Sequence, residues 1–192
     1  MEHRSLALRR LDGATRALHA TADERWLELL RPDVTLRDYT TQLERNYGFV
    51  APYDAALAYL PALAVHPQIR TTLLVRDLLA LGKTPHHIAT LPMCLEIDLE
   101  SPDLALGWIY VVERSAVVHA GLLRHLAFRL PITNSSAFLG ADTSCFGPVW
   151  DDLGVALDKV ESLEDIIRGA RDAFATQRDW FAQIADASRS YG

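Results

Sequence analysis

Apolar residues recur at intervals of three and four along most of this chain, the period of amphipathic helices rather than strands. Leu8, Leu11, Leu18, Trp26, Leu29 and Leu30 follow it and predict a first helix from Ser5 to Leu30, ending near Arg31-Pro32. Thr35-Leu-Arg-Asp38 reads as a capping box with Asp in the usual Glu place. It opens a second helix to about Leu60, with a bend at Pro52. Pro61 and Pro67 bracket a turn, and Ile69 to Leu81 predicts a third helix stopped by Gly82. Thr84 to Pro92 reads as a loop, and Met93 to Leu99 alternates loosely, as a short extended piece does. Ser101-Pro102-Asp103 supplies an N-cap, a first-turn proline and an acid at the positive end of the helix dipole. The helix it opens is expected to run unbroken to about Leu130, with Pro131 as its stop. Residues 131 to 147 are polar and contain glycine, which predicts one long loop of the kind that often carries function. Trp150 to Leu157 predicts a short helix, and Ser162-Leu-Glu-Asp165 caps a last one to about Ala187. The expected fold is an all-α multihelical bundle forming a single domain over residues 1–192.

Composition narrows the class. At 192 residues, 49% hydrophobic and 23% charged, the chain can bury a sizeable core as an ordinary globular domain. A net charge of -6 argues against nucleic acid or an anionic membrane surface as the main partner. No apolar run reaches the ~18 residues of a membrane helix. The N-terminus alternates charged with apolar residues and lacks the apolar stretch of a secretory signal. Cys94 and Cys145 lie far apart with no CxxC, so a reduced, cytoplasmic setting is expected.

The most informative stretch is Gly107 to Leu126, which sets Glu113, Arg114, His119, Arg124 and His125 among apolar residues. Burying charge is costly, so a helix that only fills a core rarely carries so many ionisable groups. Gly107, Tyr110, Arg114, Val118 and Gly121 form one stripe, flanked by Ser115 and His119. On the first helix, Asp23 lies one turn beyond His19 on the same face. A carboxylate there can fix the histidine tautomer and leave the other ring nitrogen as a metal ligand. The plain alternative is an exposed ion pair with no role, and spacing alone favours it. His86-His87 reads as part of a solvated loop, and His3 and His66 as surface residues. HExxH, the nucleophile elbow, the phosphate loop, the Rossmann glycines and the Glu-x-x-His di-iron spacing are all absent.

Taken in order, several segments resemble the haem oxygenase family, especially the bacterial branch found with bacteriophytochromes. Thr15-Arg-Ala-Leu-His19-Ala-Thr-Ala-Asp23 resembles the proximal helix, and Tyr47 to Leu57 the second helix. Val75 to Gly82 resembles the end of the third, and Gly107-Trp-Ile-Tyr-Val-Val-Glu-Arg-Ser115 with Arg124-His-Leu126 the distal helix. Gly169 to Phe174 and Trp180-Phe181 resemble the closing helix. The resemblance implies haem as cofactor, His19 as the proximal iron ligand and Asp23 as the partner of that histidine. It places Arg9 and Arg16 as basic candidates for the haem propionates. It places Tyr110, Arg114, Ser115, Val118 and His119 on the distal side. The implied reaction opens haem to biliverdin, iron and carbon monoxide, using dioxygen and electrons from a separate reductase. A bacteriophytochrome or another signalling protein is the implied further partner.

The chain departs from the family where that chemistry is directed. The family's distal helix typically reads Tyr-Val-x-Glu-Gly-Ser-x-x-Gly-Gly, and here the glycine positions hold Arg114, Val118 and His119. Glycine there lets the helix bend and bring its backbone close to haem. Three outcomes are open. The helix sits farther out, with Gly107 or Gly121 supplying flexibility, and oxygenation survives. His119 reaches the iron opposite His19, giving a bis-histidine haem suited to sensing, storage or electron transfer. Or Arg114 and Val118 fill the pocket, and the fold serves another ligand or a protein partner. Asp151, Asp152 and Asp158, in the short helix where basic residues would meet propionates, oppose haem further.

Overall fold

The computed structural model of the chain describes the backbone of residues 5–60, 63, 65, 67 and 69–190, and the side chains of these except 142–147 and 184–190. The expectations for His3, Pro61 and His66, and for the Cys145 side chain, lie outside the described residues. Eight α-helices and no strand occur among the described residues: α1 (Leu6–Leu27), α2 (Leu36–Ala58), α3 (Thr71–Ala80), α4 (Pro85–Ala89), α5 (Pro102–Arg114), α6 (Ala116–Arg129), α7 (Ala137–Leu157) and α8 (Glu164–Ser190). A 3-10 turn, Glu28–Leu30, extends α1. None of the described helices is long and apolar enough to cross a membrane.

Local capping explains most of the boundaries. Ser5 Oγ accepts from Leu8 N at 3.1 Å, and the Thr35–Asp38 capping box is complete in both directions. Ser101 Oγ accepts from Leu104 N at 3.3 Å to start α5. Ser162 Oγ accepts from Glu164 N at 3.2 Å at the start of α8. Gly82, at φ 84°, turns the chain out of α3, and Lys83 N donates to Leu78 O at 3.0 Å. Two other starts are capped from a distance. Asp54 on α2 accepts from Arg70 N and Thr71 N at 3.0 and 2.8 Å, closing the head of α3. Asp77 on α3, fully buried, accepts from Ala137 N and Phe138 N at 2.9 and 2.8 Å, closing the head of α7.

Three expectations about the elements need correction. Residues 137–147 are helical, because α7 begins at Ala137 and buries Phe138 and Leu139. The expected loop after Thr84 contains α4, started by Thr84 Oγ1 accepting from His87 N, with Pro85 in the first turn. The long charged helix is also two helices. Ser115 separates α5 from α6, with its Oγ donating to Val112 O at 2.6 Å and its N–H reaching the same carbonyl. That back-bonding competes with the α-helical ladder. Met93 to Leu99 pairs with no strand and is tied to α2 by a bond from Cys94 N to Gly48 O at 2.8 Å.

Burial centres on α5, every residue of which from Leu104 to Glu113 is buried. It packs most extensively on α8, and Gly107 is why it can. A Cβ at Gly107 would run into the Ile166 carbonyl and the Ala170 amide, and one at Gly169 into the Leu104 carbonyl. The two helices therefore cross backbone to backbone. Gly107 serves packing, which differs from the flexible role expected of it. Next to Gly107, Trp108 stacks on Phe49 and Tyr53 of α2, with ring centroids 6.2 and 6.4 Å apart. The α1 helix packs on α8 and also meets α6 and α7, so its His19 face is turned toward α5 and α8.

Candidate functional site between helices α1 and α5

Six polar residues of two helices converge where the proximal and distal helices were expected to flank a ligand. From α1 come Asp12, Thr15, His19 and Asp23; from α5 come Tyr110 and Arg114, the latter at its last turn. His19 Nε2 stands 3.2 Å from both the Thr15 hydroxyl and the Tyr110 hydroxyl. The Thr15 hydroxyl donates to Leu11 O at 2.9 Å. The Tyr110 hydroxyl has two acceptors for its proton, His19 Nε2 and Asp12 Oδ1 at 3.3 Å. One turn along, Arg114 holds Asp23 in a two-bond fork, Nη1 to Oδ1 at 2.9 Å and Nη2 to Oδ2 at 2.8 Å. That geometry is the strong form of a carboxylate pair. Aromatic rings close the cluster: Phe174 of α8 lies 5.6 Å from the His19 ring, and Trp150 of α7 meets Tyr110 edge-on at 5.6 Å.

These surroundings set the protonation states. Burial, and next the Arg114 charge, push the His19 pKa below its ordinary 6.5, so its imidazole is neutral at pH 7. Asp12 and Asp23 pull the other way with less effect. Burial pushes Tyr110 up to about 12, so its hydroxyl stays protonated. The cluster is thus a neutral imidazole beside a protonated phenol, with a charged fork alongside.

Several sequence-derived candidates meet here and several do not. His19, Asp23, Tyr110 and Arg114 come together, but in other pairings. The Asp23 carboxylate, expected on His19, is held by Arg114. His119 is fully buried between Trp26 and Phe138, with ring centroids at 4.7 and 5.2 Å, and lies in a different part of the core from His19. Ser115 spends its hydroxyl on Val112 O, and Val118 packs half-buried against the core. Arg16 is exposed and bonded to Asp12 at 3.2 Å, while Arg9 is exposed. Asp12 and Thr15 went unmarked in the sequence. They precede His19 at helical spacing on the same face, which is the signal that could have found them.

A haem does not fit the side chains as they stand. A macrocycle between α1 and α5 would need the His19–Tyr110 contact and the Arg114–Asp23 fork broken, because both span that space directly. A surface hollow of about 500 Å³ runs along α1 from Ala20 to Arg31 and includes none of the cluster. Among the described residues no group of three His, Cys, Asp or Glu side chains could hold a metal ion. Comparison with protein-family models, with curated proteins and with solved structures returns no match for this chain.

Proposed function

We propose that this chain is a haem oxygenase-like helical protein that no longer cleaves haem and acts instead by binding a protein partner. The observation that carries the reading is the Arg114–Asp23 fork, which ties α1 to α5 beside His19. Arg114 occupies a position where the resembled family has glycine, so the closure is written into the altered position itself. The burial of His119 away from His19 supports the same reading, since it removes the second iron ligand that a bis-histidine haem needs. One observation favours the second reading, a haem held through His19 and cleaved with electrons from a reductase. His19 is kept neutral, which is the ligating form of imidazole.

Hemin turnover separates the two. Purified protein mixed with hemin and ascorbate is followed by absorbance for verdoheme and biliverdin bands. The partner-binding reading expects neither product, from the wild type or from His19→Ala. Biliverdin formed by the wild type and lost in His19→Ala overturns it in favour of the second reading.

A further inference from the structure

The outer face of α6 is the feature that neither the core nor the polar cluster uses. Val117, Gly121, Arg124 and Phe128 follow one another at spacings of four, three and four, so they lie on one side of the helix. All four are exposed, Val117 by 59% and Phe128 by 88%. Two exposed apolar residues therefore flank a glycine and an arginine on one helical face. Glycine weakens a helix interior, and the usual structural excuse is missing at Gly121: a Cβ there would meet nothing within 4 Å. Gly107, by contrast, is required by α8. A glycine with open space above it suits the close approach of a backbone from outside the chain. The charge of this face is also opposite to that of the whole. Arg124 stands exposed on it and α6 contains no acidic residue, in a chain of net charge -6.

We infer that the Val117–Gly121–Arg124–Phe128 face of α6 docks an acidic amphipathic helix of a different protein. The inference rests on the partner-binding reading and names its surface. Two anchors about three helical turns apart, with a glycine between them and arginine alongside, match the spacing by which one helix reads another. An isologous pairing with a second copy would set Arg124 near its own equivalent, which opposes it.

The test uses the full chain and a fluorescein-labelled synthetic helix with leucines on one face and glutamates flanking them, read by fluorescence anisotropy. A matched peptide carrying lysine for glutamate is the control. The expected result is saturable binding of the glutamate peptide that weakens as salt is raised. Phe128→Ser and Arg124→Glu should each weaken it by about tenfold or more, as loss of an anchor does. Gly121→Leu should abolish it while raising the thermal midpoint, a combination that a purely structural role for Gly121 does not give. Equal binding of the lysine peptide, no saturable binding, or unchanged binding by Gly121→Leu overturns the inference. Capture by phosphatidylserine vesicles in place of the peptide also overturns it, as does self-association lost in Phe128→Ser. Hemin turnover is read separately. Biliverdin formation with the peptide bound removes the non-enzymatic reading and leaves the surface standing. No turnover and no peptide binding removes the surface alone.

Discussion

The Arg114–Asp23 fork makes a quantitative demand. Its side chains retain 13% and 15% of their exposure, between a solvated pair and a fully buried one. Exposed pairs contribute about 0.2–1 kcal/mol, and removing one partner of a buried pair costs about 3–5 kcal/mol. With two short bonds at this depth, Arg114→Ala and Asp23→Ala should each cost about 1.5–3 kcal/mol, much of it from stranding the other charge. The double variant strands neither charge, so its cost should fall short of the sum by a coupling of about 1–2 kcal/mol. Urea denaturation followed by far-UV circular dichroism, on the wild type, both single variants and the double, gives the four free energies required. A coupling below about 0.5 kcal/mol would mean that the fork behaves as a solvated pair and does not hold α1 against α5.

Other outcomes follow from the same geometry. Gly107→Ala should destabilise by at least about 2 kcal/mol, since its Cβ meets α8 backbone that cannot turn aside. Gly121→Ala should instead stabilise by up to about 1 kcal/mol, and thermal melts of the pair should move in opposite directions. His19 is depressed in the folded state from 6.5, so below that pH the unfolded chain takes up the proton first. Its contribution is therefore present above pH 6.5 and lost as pH falls toward the folded value. The groups facing it are Asp12, Arg16 and Asp23 on its own helix and Arg114 across from it. Stability curves from pH 7 down to 5 should fall less steeply in His19→Gln than in the wild type, and equal slopes would remove His19 as their cause. The buried ion pair of Arg70 with Glu113, 2.7 Å long and at most 4% exposed, should cost about 3–5 kcal/mol when Glu113→Ala breaks it, read as a shift in the urea midpoint.

What was legible in the sequence was whatever depends on neighbours in the chain. The starts of α1, α2 and α5 were readable because Ser5, Thr35 and Ser101 cap helices that begin next to them. The start of α7 was not, because its cap is Asp77, some 60 residues earlier, and the local Thr-Asn-Ser-Ser run signals a loop. The break at Ser115 was hidden for a similar reason. Neither proline nor glycine marks it, and it directly follows Glu113, bonded to Arg70 at the head of α3, and Arg114, bonded to Asp23 of α1. Beyond that break His119 packs between Trp26 and Phe138, and Val118 lies partly buried against the core. The His19 face of α1 was legible from spacing, but the pairing of Asp23 was not. A four-residue spacing says which groups are near one another, and a long guanidinium from another helix decided which of them bond.

The central claim is that Arg114 closes the space between α1 and α5 that a haem would need. The most direct measurement is a Soret titration of the wild type, Arg114→Gly and Arg114→Gly with His19→Ala, each with hemin. The account predicts no saturable Soret band in the wild type, a saturable one in Arg114→Gly, and its loss when His19 is also removed. A wild type that saturates with the same band as Arg114→Gly, or an Arg114→Gly protein that binds no hemin, would contradict it.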